Sequence, residues 1–345
     1  MQGWWSKPDN CDKNMTINLQ HLPRQALGFL PTPLVELKNL SRYLDGPRIW
    51  IKRDDQTGLA FGGNKTRKLE FLVGDALAHG ADTLVTGGAA QSNHCRQTAA
   101  AAAACGLECH LALGGTAPAM LNGNLLLDQL LGAHIHWCGE QRKGETIPQI
   151  VMQLKTEGKT PYVVPYGGSS KIGALGYVDA VRELELQLRT TGQKISHMVF
   201  ATSSGGTQAG LIVGKKISGF SAKVIGILIE KESAGEQLLA DSFCALANDV
   251  AAHLGKAADF SAADILLNAD YVGGGYGVVG ELEREAITLL ATQEGILLDP
   301  VYTARAMGGL IDLIRRGKFA KSDSVLFWHT GGGPALFAYA DKLNP

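Results

Sequence analysis

The chain has 345 residues, 45% of them hydrophobic and 19% charged, enough for one large or two ordinary globular domains with a sizeable core. Its formal net charge of −1 gives no electrostatic footing for nucleic acid or an anionic membrane, and no apolar run reaches the roughly 18 residues that span a bilayer. Six cysteines lie scattered without a CxxC pair, so they read as reduced thiols and point to the cytoplasm.

Residues 1–20 carry Trp4-Trp5 but lack the apolar core of a secretory signal; they read as an extra surface segment. Pro31 and Pro33 make a stiff entry. Residues 34–40 suggest a short helix, and Ile49-Trp50-Ile51-Lys52 a strand. In Gly62-Gly63-Asn64-Lys65-Thr66-Arg67-Lys68-Leu69-Glu70-Phe71, a glycine pair precedes an amphipathic run with Leu69, Leu72, Val73, Ala76 and Leu77 at helical spacing. Asn64 is the expected N-cap, and the helix ends near His79-Gly80. Lys65 then sits in the first turn, where the helix dipole disfavours a cation. It is either a helix start that happens to be basic or a reactive amine of lowered pKa, suited to a Schiff base with a carbonyl.

Beyond it, strands at 83–86, 109–113, 135, 161–165, 197–201, 224–229 and 325–329 alternate with helices. Those helices fall near 94–104, 125–131, 147–155, 174–189 and 207–215, then from 235 onward, at 281–293 and 302–316, and at the C-terminus. The alternation predicts an α/β fold with parallel sheets and right-handed crossovers. No linker separates the halves, so two domains would require the chain to cross between them more than once. In the segment 133–138, His134, His136 and Cys138 alternate and would share a strand face. With no fourth ligand in view they read as packing, and no metal is expected.

Ligands in such folds bind at the carboxyl ends of strands, which directs attention to three βα loops. Thr202-Ser203-Ser204-Gly205-Gly206-Thr207 opens a helix and offers N–H groups and hydroxyls to a phosphate. It lacks the lysine of a P-loop and the GxGxxG spacing, which favours a lone monophosphate over a nucleotide. A plain βα turn explains it equally. Gln91-Ser92-Asn93-His94 also opens a helix and suits a carboxylate, unless Ser92 and Asn93 merely cap. His329-Thr330-Gly331-Gly332 ends the last strand and would set Thr330 against a ligand edge. Tyr276 and Tyr302 are acid–base candidates or packing residues. A Schiff-base lysine, a monophosphate cup and a carboxylate-binding helix start together match what pyridoxal 5'-phosphate and a small amino-acid substrate require.

From about Pro31 to the C-terminus the chain resembles the D-cysteine desulfhydrase and 1-aminocyclopropane-1-carboxylate deaminase family, pyridoxal phosphate enzymes of the tryptophan synthase β-like fold (fold type II). The resemblance rests on the Gly62–Glu70 motif, Gln91-Ser92-Asn93-His94, Ser204-Gly205-Gly206-Thr207, Asp299-Pro300-Val301-Tyr302 and His329-Thr330-Gly331-Gly332. It implies two three-layer α/β/α domains with parallel-rich sheets: residues 1–66 with 173–345, and an inserted smaller domain of 67–172. A homodimer is the expected assembly. Lys65 would carry the cofactor, Asn93 would contact its ring hydroxyl, and Ser204, Gly205, Gly206 and Thr207 would hold its phosphate. Thr330 would meet the pyridine nitrogen. Ser92 would sit at the substrate carboxylate with Gln91, Asn93, His94 and Thr303 nearby, and Tyr276 and Tyr302 would flank the reacting carbon.

Thr303 and Thr330 match the desulfhydrases, whereas the cyclopropane deaminases carry Glu and Leu there. The implied reaction is β-elimination, D-cysteine plus water giving hydrogen sulfide, pyruvate and ammonia. Ala304-Arg305 departs from the usual Gly-Lys, and Ala90 replaces a larger apolar residue. An additional arginine that could face a sulfonate keeps L-cysteate sulfo-lyase as the alternative, ahead of the cyclopropane deaminase. From another class, a non-catalytic cofactor carrier would need only the lysine and the phosphate cup.

Overall fold

The computed structural model describes residues 18–230, 235–257 and 259–343. The first part of the chain forms β1 (Leu34–Glu36), α1 (Lys38–Leu44), β2 (Arg48–Arg53) and α2 (Asn64–Ala78). There follow β3 (Thr83–Ala89), α3 (Asn93–Ala104), β4 (Glu108–Gly114), α4 (Gly123–Leu130), β5 (His134–Trp137), α5 (Ile147–Thr156) and β6 (Pro161–Val163). The remainder is α6 (Lys171–Thr191), β7 (His197–Thr202), α7 (Gly206–Ser218), β8 (Lys223–Leu228), α8 (Gly235–His253), β9 (Leu266–Asn268), α9 (Glu281–Glu294), α10 (Thr303–Arg315) and β10 (Ser324–His329). Two short helices, α11 (Ala335–Ala338) and α12 (Ala340–Leu343), close it.

The strands build a six-stranded sheet, ordered β1-β2-β10-β7-β8-β9, and a four-stranded sheet, ordered β5-β4-β3-β6. Every pairing is parallel except β1 with β2. Strand alternation sorts side chains to the two faces of the larger sheet. Met198 and Phe200 on β7 and Leu326 and Trp328 on β10 pack with α6, α7 and α8, while Val199, Val325 and Phe327 pack with α9 and α10. In the smaller sheet Leu84, Leu111 and Leu113 face α2 and α3, and Val85 and Ala112 face α5. Both sheets are therefore covered on both sides, as their parallel strands require. Among the described residues no helix is long and apolar enough to cross a membrane.

Several expectations change. Residues 34–36 form a strand rather than part of a helix, because they find a partner in Lys52, Ile51 and Trp50 of β2. The edge strand β9 was not foreseen; its three residues are too few to show a period. The surface assignment of residues 1–20 falls mostly outside the described residues, but Leu19 is buried in the core.

The largest departure concerns α2. It is not amphipathic: Thr66, Arg67, Lys68, Leu69, Glu70 and Phe71 are all buried, because the helix lies between the layers of the two sheets. Its charges are met from around it. Arg67 donates to Asp54 through Nε and Nη2, each at 2.9 Å, and to Glu183 of α6 at 3.0 and 2.9 Å. Asp54 also accepts from Thr32 Oγ1 (2.8 Å), Tyr177 OH (2.7 Å) and Trp328 Nε1 (2.7 Å). Glu70 accepts from the backbone N–H groups of Leu27 and Gly28 and from Arg24. Gly176 of α6 lets that helix close on α2, since a Cβ there would sit 2.2 Å from the Arg67 carbonyl oxygen.

Burial works to raise the Asp54 pKa, but the Arg67 guanidinium overrides it and brings the group from 3.8 down to about 2. The resulting stabilisation is fully present above about pH 4 and is lost as pH falls through 2. Asp54→Ala leaves the buried Arg67 guanidinium with Glu183 as its one carboxylate and removes the acceptor of Tyr177 and Trp328, and should cost about 3–5 kcal/mol, read as a shift in the urea midpoint. A loss below about 1 kcal/mol would contradict this account of the network.

Candidate active site

The carboxyl ends of β3, β7 and β10 and the start of α2 converge on one cleft lined by Asn64, Lys65, Ser92, Asn93, His94, Tyr166, Gly167, Ser203, Ser204, Gly205, Thr207, Tyr302 and Thr330. Of the residues singled out in the sequence, Gln91, Gly206, Tyr276 and Thr303 do not line it.

Asn64 is the first helical residue of α2, not its cap. The cap position is Gly63, with φ 130°, and no side chain caps it. Asn64 instead donates its N–H to the Thr330 carbonyl (2.9 Å) and its amide to Thr207 Oγ1 (3.2 Å). The helix start is thereby tied to both glycine-rich loops of the larger sheet. Lys65 Nζ donates to the Gly167 carbonyl at 3.0 Å, and Lys68 Nζ to the same oxygen at 3.1 Å. Burial lowers Lys65 from 10.5 to about 8, against a partial rise from its hydrogen bond with Lys68. Burial, and then the charge of Lys65, push Lys68 well below its ordinary value.

At the Ser204 loop, Gly205 adopts φ 79° at the cap of α7. A Cβ on Gly206 would come within 2.6 Å of Ser169 Oγ and 2.9 Å of Lys68 Nζ. The loop therefore presents hydroxyls and a helix N-terminus to the cleft, a donor set suited to a phosphate, with the buried Lys68 amine packed against Gly206 behind it. Lys68 was missed as part of this set; helical position alone gave no hint that it faces the loop.

On the opposite side Ser92 caps α3 by accepting the Cys95 N–H at 3.2 Å. Capping uses an oxygen lone pair and leaves the hydroxyl proton available. Asn93 Oδ1 accepts from Asn124 Nδ2 (2.9 Å) and Arg96 Nη1 (3.4 Å), so its amide N–H groups are left for the cleft. His94 is held by Thr86 Oγ1 at 2.9 Å; burial first, then Lys65 and Lys68, keep its pKa well below 6.5 and the ring neutral. Gln91 turns away, accepting from Asn124 N at 2.8 Å and donating to Asn122.

Tyr302 lines the cleft, and its hydroxyl lies 3.1 Å from that of Tyr276. Burial raises both phenols above their usual pKa, so both hold their protons at neutral pH. Arg142, from the loop after β5, crosses to the larger sheet. Its guanidinium lies 4.8 Å from the Tyr276 ring centre and donates to buried Glu230 at 2.7 Å. Thr303 is fully buried, and its hydroxyl donates to Asp299 Oδ1 at 2.7 Å. Arg305 does not face the cleft. It donates to Glu283 (2.6 Å) and to the carbonyls of Ile229, Gly275 (2.9 Å) and Val278 (2.7 Å). The argument for a sulfonate from this arginine falls, because its donors are spent on Glu283, on Ile229 and on the loop that carries Tyr276.

Comparison with known proteins gives a concordant result. Residues 26–331 match the family model described as pyridoxal-phosphate dependent enzyme. The chain is 46% identical to the D-cysteine desulfhydrase of Klebsiella pneumoniae (strain 342), over 94% of this chain and 99% of that protein. It is also 46% identical to that of Salmonella newport (strain SL254), over 93% and 98%. A crystal structure of an ACC deaminase homologue superposes with a TM-score of 0.86 at 40% identity, covering 94% of this chain and 96% of that one. O-ureido-L-serine synthase, at 17% identity and a TM-score of 0.62, shares the fold.

The amine of Lys65 should titrate far below an ordinary lysine. In protein stripped of any bound aldehyde, reductive methylation of Lys65, followed by peptide mapping, should level off above about pH 8. Surface lysines should go on rising toward about 10.4. A Lys65 profile indistinguishable from theirs would count against a desolvated amine.

Proposed function

The chain belongs to the pyridoxal-phosphate dependent enzyme family, and we propose that it is a D-cysteine desulfhydrase, a carbon–sulfur lyase that converts D-cysteine and water to hydrogen sulfide, pyruvate and ammonia. The observation that carries this reading is the Lys65 amine, lowered to about 8, in a cleft between a phosphate-type loop and a carboxylate-type helix start. The near-full-length identity to curated desulfhydrases supports the substrate.

The residues present fit pyridoxal phosphate. Ser204, Gly205, Gly206, Thr207 and the N-terminus of α7 would hold the phosphate, with Lys68 as a cation whose proton a dianion would restore. Lys65 Nζ would bond the cofactor's carbonyl carbon, Asn93 would donate to the ring hydroxyl, and Thr330 would meet the ring nitrogen with a neutral hydroxyl. Bound pyridoxal phosphate supplies an electron-withdrawing ring that stabilises the charge left on the substrate's α-carbon.

Around it the protein's own groups do the positioning and proton transfer. Ser92 donates its hydroxyl proton to the substrate carboxylate, with Asn93 and His94 beside it. Lys65, once free, is a base near neutral pH and takes the α-proton. Tyr302 protonates the departing thiolate, and Tyr276, hydrogen-bonded to it, holds the phenol in place. Gln91 and Thr303 act by fixing the loops rather than by touching substrate.

The alternatives lose ground on particular residues. L-cysteate sulfo-lyase rested on Arg305, which is engaged elsewhere. Ring opening of a cyclopropane is disfavoured by Thr330 in place of Leu. A non-catalytic carrier has no use for Ser92 and Tyr302 in the cleft. We also propose the division into 1–66 with 173–345 and an inserted 67–172, supported by a four-stranded sheet built wholly from residues 83–163. A cytoplasmic homodimer is supported by free cysteines throughout the described residues and by exposed Phe29, Phe61 and Phe337.

Purified protein should be yellow, and borohydride reduction should mark Lys65, not Lys68. It should release pyruvate from D-cysteine in preference to L-cysteate and to 1-aminocyclopropane-1-carboxylate; preference for either of the others overturns the substrate. Tyr302→Phe should lower kcat for D-cysteine by about 10²–10⁴-fold with the cofactor spectrum kept. An unchanged kcat would move the acid elsewhere.

A further inference from the structure

One cluster of ligand-type side chains lies outside the cleft and plays no part in the chemistry above. On the outer edge of the smaller sheet, His110 of β4 pairs with His134 of β5, and Ala112 with His136. Alternation therefore puts Glu108, His110, His134 and His136 on one face. Cys138, expected in this set, lies beyond the end of β5. The missing ligands come from the neighbouring strand, which a reading along one strand does not reveal.

One ligand atom each from Glu108, His110 and His134 lies within 4.8 Å of the others. The rings of His110 and His134 stack at 4.6 Å. His110 Nε2 is buried without a hydrogen-bond partner, while its Nδ1 lies 3.0 Å from His136 Nε2. When His110 donates that shared proton, its Nε2 is a bare lone pair, the form in which imidazole binds a metal. His136 is then the hydrogen-bond partner that orients a metal-bound histidine. Glu108 engages Lys159 through Oε1 and leaves Oε2 toward His110 Nε2 at 3.9 Å.

We propose that Glu108, His110 and His134 form a three-ligand site for a late first-row divalent cation, Zn²⁺ foremost, with His136 as the positioning residue. Nitrogen and carboxylate ligands at about 2.0–2.2 Å suit zinc, and water completes the set. The ligand atoms must close from their present spacing to about 3.3 Å, the edge of such a tetrahedron. Glu108 and His134, both on the solvent side, can swing to do so; His110 is fixed. The cation would tie edge strand β5 to β4, and it is independent of the reaction in the cleft.

The test is calorimetric titration of holoenzyme with Zn²⁺ at pH 7.5, without substrate or thiol, for wild type, His134→Ala, His110→Gln, Glu108→Gln and His136→Ala. One equivalent per chain should be present in wild type and lost in His134→Ala and His110→Gln. It should be weakened at least tenfold in Glu108→Gln and about 10–100-fold in His136→Ala. Cofactor absorbance and sulfide release in metal-free buffer should match wild type in every variant, which shows that they are folded. Zinc uptake unchanged in His134→Ala and His110→Gln, or none in wild type, overturns the site.

Discussion

The buried guanidinium of Arg67 sets where the reactive helix can begin. It lies two residues after Lys65 and is gripped by Asp54 at the end of β2 and Glu183 of α6. Asp54 is gripped in turn by Tyr177 and Trp328. A charge so enclosed is costly to strand and has one geometry in which every partner is satisfied. Sliding α2 by a turn would break that geometry, so the position of Lys65 relative to the larger sheet is fixed from below. Glu70 repeats the device one turn on, binding the 24–28 segment to the same helix.

Above that anchor the electrostatics run the other way. Lys65 and Lys68 share one carbonyl oxygen, and burial rather than any carboxylate governs the pKa of both. Two amines in a dry site repel one another's protons and leave at least one neutral near physiological pH. An arriving dianion changes that balance: it favours a proton on the lysine beside it and so leaves the other free as a nucleophile. Occupation of the phosphate loop and readiness of Lys65 would thus be linked through a single pair of side chains.

Much of this was legible in the sequence. Alternating strands and helices, and glycine-rich loops after β3, β7 and β10, placed the cleft because the fold class dictates where such loops meet. What was not legible shares one cause. The α2 run looks amphipathic, because periodicity reports which residues are polar but not that another layer will cover them. Arg305 looks like a ligand for the same reason, when its partners are the Glu283 carboxylate and the carbonyls of Ile229 and of the loop holding Gly275 and Val278. Gln91 and Thr303 sit in the right motifs yet point into their own loops, a matter of side-chain direction that spacing does not fix. The imidazole cluster on β4 and β5 depended on register between strands, which no single strand records.

The anchoring of the 273–278 loop by Arg305 bears on how such enzymes diverge. Tyr276 reaches the cleft only through Tyr302, and the loop bearing it is held by an arginine that meets neither substrate nor cofactor in the proposed arrangement. On the proposed role of Tyr302, exchanging this buried residue would shift the leaving-group acid through Tyr276 while every pocket-lining residue stays the same. Assignments that compare only pocket walls would score two such proteins as equivalent. The exchange of Lys for Arg at this position is where that comparison would go blind.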